Sequence, residues 1–267
     1  MNITFSAPVT HGHKIAQPFG IATANLDISE QQIELEEGVY LVDVRIANRE
    51  CGMGGLLHFG VRKTFGSDFS AEVHILDFEE DLYGKRLEVE VLKKLRDIQK
   101  FQNADSLYTQ IEEDIVKAKK YFLRREIKAA WQNITEEERQ AMAQEAADKI
   151  NQNKHYQNAS CVLAYKPMTD EIPFLDLLEK NFIFPETPEG AWQCAPTLII
   201  VPGLAASSDG KRLGRGGGFY DQLLKKYPDV PTLIVLPKMA LRESLPTEPH
   251  DVLIDEVITV SCTSTPL

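Results

Sequence analysis

The sequence predicts a two-domain protein, in which a strand-rich first half precedes an α/β second half with a mainly parallel sheet. Short runs with a period of two indicate half-buried strands in residues 1–100. In the second half, continuous apolar strands alternate with helical segments, which is typical of a parallel sheet covered on both faces. The length of 267 residues also fits two domains of ordinary size. We place the boundary between residues 116 and 117, inside a predicted helix and without a Pro- or Gly-rich linker.

The first domain contains several short strands separated by clusters of Gly, Asp, Ser and Asn. They cover residues 38–46, 55–61, 71–78 and 86–92. In the first of these strands, Tyr40, Val42 and Val44 fall on one side and polar residues fall on the other. The intervals between the strands favour an antiparallel sheet or a small barrel.

The pattern changes to a helical period near Asp105. Apolar residues then recur every three or four positions as far as Ala130, which predicts one long helix or two abutting helices. A capping box at Thr135 and Glu138 starts another helix that runs to about Ile150, because each side chain can satisfy a backbone N–H of the first turn. Beyond it, strands at 161–165, 197–203 and 232–236 alternate with helices at 172–180 and 220–227.

Charge and composition limit the class of partner. The chain has 29 Lys and Arg residues against 40 Asp and Glu residues, a formal net charge of −11. This balance repels nucleic-acid phosphates and anionic lipid headgroups, so it favours small-molecule partners. No signal peptide precedes the first strand, and the longest apolar run, residues 197–206, is too short to span a bilayer. We therefore expect a cytoplasmic protein with no nucleic-acid or membrane partner, and we leave its oligomeric state open.

The cysteines give no sign of a metal site or a crosslinked framework. The chain has four of them, at Cys51, Cys161, Cys194 and Cys262, and no two form a CxxC pair. Wide spacing of this kind argues against a zinc ribbon and against a set of structural disulfides. The simplest prediction is a chain whose cysteines are reduced.

A glycine-rich loop in the second half carries the strongest functional signal. KRLGRGGGFYD (residues 211–221) lies between a buried strand and a helix. Glycines let the backbone approach phosphate oxygens, the helix N-terminus adds a partial positive charge, and the loop's Lys and Arg residues add full charges. The loop is neither a P-loop nor a GxGxxG motif, since Phe219 stands at the third glycine of the latter. The pattern predicts a polyphosphate site.

RLGRGGGFYD resembles the signature of the 5-formyltetrahydrofolate cyclo-ligase family. Four further segments follow that family's order: KYFLR (120–124), YKPMTDE (165–171), IIVPGLA (199–205) and EPHD (248–251). The resemblance implies an α/β domain that binds ATP and Mg²⁺. It also implies that ATP phosphorylates the formyl oxygen of 5-formyltetrahydrofolate, after which N10 attacks the activated carbon and phosphate leaves.

The same resemblance implies roles for individual residues. The residues implied to hold ATP phosphates are Lys120, Arg124, Arg212, Gly214, Arg215, Gly216 and Gly218. Asp221 and Asp251 match positions associated with magnesium. Glu171 matches the acidic residue that contacts the folate, and Tyr220 lies at the junction of the substrates. Between residues 182–190 and 191–200 the chain is shorter than the family pattern, which has further strands and a loop beside the folate there.

A second resemblance covers residues 10–114. Its segments are GIATANL (20–26), GVY (38–40), GLLHFGVRKTF (55–65), EVHILDFEEDLYG (72–84) and LRDIQKFQNADSLYTQIEED (95–114). Together they resemble riboflavin kinase, which implies a small barrel with a C-terminal helix. The resemblance implies that Thr23 and Asn25 bind the magnesium that accompanies ATP, and that Glu72 is the catalytic base. Hydroxyl and amide oxygens suit Mg²⁺, and a carboxylate can accept the proton of a ribityl hydroxyl during phosphoryl transfer.

Some positions depart from the riboflavin kinase pattern. Ala22 replaces a proline, His58 replaces an asparagine, and residues 13–17 replace the glycines of a loop that covers the nucleotide in that family. The adenylyltransferase module that usually precedes bacterial versions is absent from the sequence, so the implied product is FMN rather than FAD. Glu72 shares a strand face with His74, Leu76 and Phe78, which predicts that it points toward an apolar side.

We therefore interpret the chain as a fusion of a riboflavin kinase-like barrel, residues 1–116, and a shortened cyclo-ligase-like α/β domain, residues 117–267. The implied substrates are riboflavin, 5-formyltetrahydrofolate and ATP, with Mg²⁺ as the cofactor. The alternative hypothesis is a riboflavin kinase that carries a decayed nucleotide-binding or assembly module without cyclo-ligase activity. A single-domain dehydrogenase is disfavoured, because the first half is rich in strands.

Overall fold

A computed structural model describes residues 3–10, 21–29, 31–47, 49, 51–61, 69–188 and 194–261. The chain forms two compact units, Met1–Phe122 and Leu123–Leu267. Residues 116 and 117, where we predicted the domain boundary, belong to one continuous helix. The replaced glycines at residues 13–17 and the cysteine at position 262 lie outside the described residues.

The first unit contains a closed antiparallel barrel, as the sequence predicts. Its strands are β1 (Ile3–Thr10), β2 (Ala24–Leu26), β3 (Gly38–Ile46), β4 (Met53–Val61), β5 (Phe69–Ile75) and β6 (Arg86–Arg96). They are arranged in the order β1-β2-β5-β4-β3-β6, and neighbouring strands are antiparallel. Alternate residues of each strand fill the barrel, among them Val42, Leu57 and Val89, whose side chains are fully buried.

A single helix follows the barrel. α1 runs from Ala104 to Trp131, so the long helical pattern belongs to one helix rather than two. Ala118 of α1 packs in a small apolar cluster with Val39 and Leu41 of β3. The buried carboxylate of Asp114 accepts a hydrogen bond of 2.8 Å from Arg96 Nε, which ties α1 to the end of β6.

The second unit is an α/β domain built on a parallel sheet. After α1 its elements are α2 (Glu136–Asn151), α3 (Lys154–Asn158), β7 (Val162–Leu163), β8 (Phe182–Ile183), β9 (Leu198–Val201), β10 (Ala205–Ser207), β11 (Arg212–Leu213), α4 (Phe219–Lys226), β12 (Thr232–Pro237), β13 (Leu241–Arg242) and β14 (Glu256–Val260). Five strands form a parallel sheet in the order β14-β12-β9-β7-β8. The capping box at Thr135 and Glu138 is present, and α2 begins directly after Thr135. Among the helices that the structure describes, none combines the length and the apolar character needed to cross a bilayer.

The helix predicted at residues 172–180 is wrong. Only a single turn of 3-10 helix forms there, at Leu175–Leu177. Pro173 disfavours the helical conformation of the residue before it, and a segment this short gains little from helix propagation. The apolar residues that suggested a helix, including Ile172 and Phe174, are buried from irregular backbone instead.

The expectation of reduced cysteines is also wrong for one pair, because Cys161 and Cys194 form a disulfide. Cys161 directly precedes β7, and the partner strand β9 begins four residues after Cys194. The parallel pairing of β7 with β9 therefore brings together two cysteines that are 33 residues apart. Spacing alone could not reveal this proximity, because it follows from strand order. Among the described cysteines, Cys51 is free and exposed.

We expect the Cys194→Ser variant to lower the free energy of unfolding of the second unit. Without the crosslink, a loop of 33 residues regains its freedom in the unfolded chain, which corresponds to about 3–4 kcal/mol. Urea unfolding followed by tryptophan fluorescence measures this, since both tryptophans of the sequence come after residue 122 and Trp131 is buried in the second unit. Cys51→Ser is the matched control and should leave the urea midpoint unchanged; an equal effect of both variants would contradict the prediction.

Candidate active sites

In the barrel, three polar residues lie in one row across neighbouring strands. β2 pairs with β5 so that Asn25 is opposite Glu72, and β4 pairs with β5 so that His58 is opposite the same glutamate. Side chains directly opposite each other on antiparallel strands are close enough to interact. The structure thus brings Asn25 next to Glu72, as a shared site requires, although 47 positions separate them in the sequence (72 − 25).

Glu72 lies on the same strand face as His74, as predicted, and this face is the outer side of the barrel rather than its apolar interior. The buried residues of β5 are Ala71, Val73 and Ile75, and Glu72 lies half-buried on the opposite face. Leu76 packs against the apolar cluster that contains Ala118 of α1, whereas Phe78, which lies beyond the end of β5, packs against the interior of the barrel. Asp77 has a left-handed conformation with φ of 54°, which interrupts the alternation of the strand.

Thr23 and Asn25 line a cavity of about 410 Å³, which is large enough for part of a nucleotide or a ribityl chain. Its walls combine apolar residues such as Val9 and Ile75 with the acidic segment from Glu79 to Asp81. The Nδ1–H of His74 donates a hydrogen bond of 2.8 Å to the carbonyl oxygen of Ala22, so the segment before β2 is fastened to β5. The two oxygen donors predicted to bind magnesium are therefore held at one edge of an open cavity.

In the second unit, the glycine-rich loop connects β11 to α4. Gly216 has φ of 98° and Gly218 has φ of 69°, so both occupy the left-handed region where a side chain would be strained. Gly218 is the N-cap of α4 and offers no side chain, which leaves the backbone N–H groups of the first turn for other acceptors. This geometry supports the predicted anion-binding role of the loop.

Arg124 lies against this loop. Its Nε–H donates a hydrogen bond of 2.8 Å to the carbonyl oxygen of Gly214, and its guanidinium lies beside the backbone of Gly216. Burial, the largest cause, lowers the pKa of Arg124 below its ordinary value, and the negative charges of Glu248 and Asp251 offset only part of this effect. Arg124 therefore lies close to Gly214, Gly216 and Asp251, all of which the cyclo-ligase resemblance implies for the ATP and magnesium site.

The segment from Glu248 to Asp251 could hold a cation. One ligand atom each of Glu248, His250 and Asp251 lies within 4.8 Å of the others. The backbone N–H of Glu248 donates a hydrogen bond of 2.7 Å to Asp251 Oδ2, which fixes the turn. Carboxylate oxygens are the donors that Mg²⁺ prefers, so the chemistry of this group fits the predicted metal.

Asp221, the other predicted magnesium ligand, is paired with a predicted phosphate ligand. Arg212 Nη2–H donates a hydrogen bond of 2.8 Å to Asp221 Oδ1, and Arg212 Nη1–H donates to the carbonyl oxygen of Pro202 at 3.1 Å. The Arg212 side chain is only 4% exposed, and its Nε has no acceptor among the residues that the structure describes. This pair is the most buried cation–carboxylate contact of the loop region.

Arg215 is bound by two neighbouring carboxylates. It donates to Asp170 at 3.0 and 2.5 Å and to Glu171 at 3.2 and 2.9 Å. Glu171 is 4% exposed and also accepts a hydrogen bond of 2.8 Å from the backbone N–H of Met168. The structure therefore brings together the residue predicted to contact the folate and one predicted to contact ATP.

Two tyrosines face this cluster. Burial, the largest cause, and the negative charge of Glu171 raise the pKa of Tyr165 and of Tyr220 far above the ordinary value of a phenol. Both hydroxyl groups therefore stay protonated at neutral pH and can donate hydrogen bonds. Tyr165 and Asp170 were not predicted as site residues, although both lie in the YKPMTDE segment that resembles the cyclo-ligase family.

Lys120 lies one helical turn before Arg124 on α1 and is buried. It belongs to the first unit, whereas Arg124 and the glycine-rich loop belong to the second. The role of Lys120 in holding ATP phosphates therefore stays a prediction.

The contact of Asp170 with Arg215 gives a prediction about pH. Burial raises the pKa of Asp170, but the hydrogen bonds and charge of Arg215 outweigh burial and hold this pKa below its ordinary value. The contribution to stability is present above the unfolded pKa of about 3.9 and is lost as the pH falls through the folded pKa. We expect Asp170→Asn to lower the urea midpoint of the second unit at pH 7, and the difference from the wild type to shrink below about pH 4. Asp176→Asn, an exposed control, should show no such difference; a gap that stays constant down to pH 3 would exclude this role of Asp170.

Two family models match the chain. The riboflavin kinase model matches residues 1–122. The model of the 5-formyltetrahydrofolate cyclo-ligase family matches residues 116–184 and 185–260. The two segments of the second match meet next to the stretch where we expect the chain to be shortened.

The chain is also similar to individual proteins. A bifunctional riboflavin kinase/FMN adenylyltransferase from Pseudomonas fluorescens is 41% identical over 113 residues, which are 42% of this chain and 35% of that protein. The protein of the same name from Haemophilus influenzae is 37% identical over 115 residues, 43% of this chain and 37% of that protein. The chain thus spans about a third of the length of these relatives. A solved 5,10-methenyltetrahydrofolate synthetase from Aquifex aeolicus is 25% identical, with a TM-score of 0.46, over 52% of this chain and 89% of that one.

Proposed function

The chain belongs to the 5-formyltetrahydrofolate cyclo-ligase family through residues 116–260 and carries a riboflavin kinase domain in residues 1–122, and on this premise we propose that it catalyses two ATP-dependent reactions. The first is the phosphorylation of riboflavin to FMN. The second is the cyclisation of 5-formyltetrahydrofolate to 5,10-methenyltetrahydrofolate. Each proposal is supported by the side chains that its own unit brings together.

The cross-strand row of Asn25 and Glu72 carries the kinase proposal. Glu72 takes the proton of the ribityl 5′-hydroxyl while that oxygen attacks the γ-phosphorus of ATP, and ADP leaves. Thr23 and Asn25 would hold Mg²⁺, which neutralises charge on the phosphate oxygens when it is bound. Asn25 and Glu72 lie on paired strands of a closed barrel and are held in fixed register, and Thr23 directly precedes β2.

The contact of Arg124 with the glycine-rich loop supports the second reaction. Phosphoryl transfer needs mainly positioning and neutralisation of charge, and the loop supplies backbone N–H groups beside a guanidinium. Asp251 and Glu248 would hold Mg²⁺ there. Glu171 and the protonated phenols of Tyr165 and Tyr220 would orient the polar edge of the folate.

Two assays test these activities separately. Purified protein with Mg-ATP and riboflavin should form FMN, which chromatography with fluorescence detection measures. The same protein with Mg-ATP and 5-formyltetrahydrofolate should show the absorbance rise of methenyltetrahydrofolate. A lack of FMN at saturating substrate would overturn the kinase proposal without touching the second, and a flat folate trace would do the reverse.

Two observations favour a second candidate for residues 123–267, a nucleotide-binding module without cyclo-ligase activity. Glu171, the residue proposed to contact the folate, is paired with Arg215, and the family match is divided at residues 184 and 185, beside the stretch where we expect the chain to be shortened. Calorimetry with each ligand distinguishes the two candidates. Binding of ATP together with 5-formyltetrahydrofolate supports the enzyme, whereas binding of ATP alone with a flat folate trace supports the module.

A further inference from the structure

A chain of hydrogen bonds leads from His58 to the proposed catalytic base. Ser70 lies two residues before Glu72 on β5, and its Oγ is 3.0 Å from Glu72 Oε1. His58 Nδ1 lies 3.4 Å from the same Oγ. All three side chains are half-buried on the outer face of β4 and β5. His58, Ser70 and Glu72 therefore lie on the same face of the barrel wall.

The chemistry of these groups fixes the direction of the chain. An ionised carboxylate can only accept hydrogen bonds, and a serine hydroxyl has a single hydrogen to donate. Ser70 must therefore donate to Glu72, so its oxygen can only accept from His58. This requires the proton of the imidazole to be on Nδ1, which selects one tautomer of His58.

The register makes this arrangement specific to Glu72. His58 is directly opposite Glu72, and Ser70 is on the same strand face two positions away. Asn25 flanks Glu72 on the other side, so the carboxylate lies between a proposed metal ligand and the serine. A hydrogen bond to one carboxylate oxygen limits rotation of the group about its last side-chain bond and so sets the direction of both oxygens.

We propose that His58 and Ser70 are positioning residues of the kinase site, which hold the Glu72 carboxylate through the chain His58 Nδ1–H to Ser70 Oγ–H to Glu72 Oε1. Their effect on catalysis rests on the proposed kinase function, whereas the hydrogen-bond chain itself does not. A misdirected base slows proton transfer while substrates still bind, so the effect falls on kcat and not on KM.

Steady-state kinetics of FMN formation tests the catalytic effect. We expect Ser70→Ala to lower kcat by about 10- to 100-fold, with the KM for riboflavin and for ATP unchanged. Ser70→Thr keeps the hydroxyl on a strand-compatible side chain and should restore most of kcat. His58→Leu should behave like Ser70→Ala, and His58→Asn, which keeps a donor, should recover activity. Ser6→Ala, a half-buried serine of β1, is the matched control.

The tautomer of His58 gives a readout that does not require activity. Nitrogen-detected correlation spectra of the imidazoles should show His58 with its proton on Nδ1 in the wild type, and Ser70→Ala should shift it towards the Nε2 tautomer. If the wild-type protein lacked kinase activity, the proposed function would be excluded. The tautomer of His58 would still test the hydrogen-bond chain from His58 to Glu72. Unchanged kcat in Ser70→Ala, or an Nε2 tautomer of His58 in the wild type, would overturn the proposal.

Discussion

Replacement of Glu72 by glutamine is expected to lower kcat for FMN formation by about 10²- to 10⁴-fold, the usual contribution of a general base. The amide has nearly the same shape and its oxygen can still accept the hydrogen bond from Ser70. The variant should therefore fold and bind substrates normally while it lacks a group that can take the proton. Initial rates of FMN formation at saturating riboflavin and Mg-ATP measure the effect.

Glu88→Gln provides the control for this substitution. Glu88 is an exposed glutamate of β6, and its ion pair with Arg45 lies at the surface, where such pairs contribute little. It should leave kcat within twofold of the wild type. Any activity towards 5-formyltetrahydrofolate should be unchanged in both variants, because both positions belong to the first unit. If Glu72→Gln kept more than a third of the wild-type kcat, Glu72 would not be the base.

The barrel was predictable from the sequence wherever its strands alternate strictly. The prediction for β3, residues 38–46, coincides with the observed strand. β1 was not predicted, because Ser6 and Ala7 are weak strand formers and Pro8 has no N–H to donate to a ladder. β2 has only three residues, too few for a period to be recognised. The alternation of burial in β1 is nevertheless regular, which shows that the partner strands and not intrinsic propensity decide its structure.

Candidate residues could be named from motifs, but their contacts could not. That Asn25 lies opposite Glu72 depends on the register of β2 against β5, which no local pattern encodes. The proposed role of Ser70 depends on that same face of β5 and on the register of β4 against it, which local alternation does not reveal. In the second unit, the Cys161–Cys194 disulfide follows from the order of strands in the sheet. Strand register and strand order depend on contacts between residues far apart in the sequence, so no local pattern reveals them.

Asp221, a predicted magnesium ligand, forms an ion pair with a buried arginine. The family resemblance implies that Asp221 binds magnesium and Arg212 binds phosphate, whereas the structure pairs the two side chains, which are 17% and 4% exposed. A charge in such a place needs its partner, because its desolvation is not compensated otherwise. We therefore expect Asp221 to stabilise the second unit even without a bound ligand.

We expect Asp221→Ala to lower the free energy of unfolding of the second unit by about 3–5 kcal/mol, because the buried Arg212 would keep only the carbonyl oxygen of Pro202 as an acceptor among the described residues. Urea unfolding in the presence of EDTA, followed by tryptophan fluorescence, measures this loss and removes any contribution of bound metal. Asp229→Ala is the matched control, since Asp229 is exposed, and should change the free energy by no more than about 0.5 kcal/mol.

A double variant separates a buried charge from simple loss of packing. Arg212→Met combined with Asp221→Leu removes both charges and keeps apolar volume, so it should be more stable than Asp221→Ala alone. If the double variant were as unstable as the single one, packing and not the unpaired guanidinium would explain the loss. If Asp221→Ala matched Asp229→Ala in EDTA, Asp221 would have no structural role, and its assignment to magnesium would regain weight. The free energies of unfolding of these three variants therefore decide whether Asp221 stabilises the fold by neutralising the buried charge of Arg212.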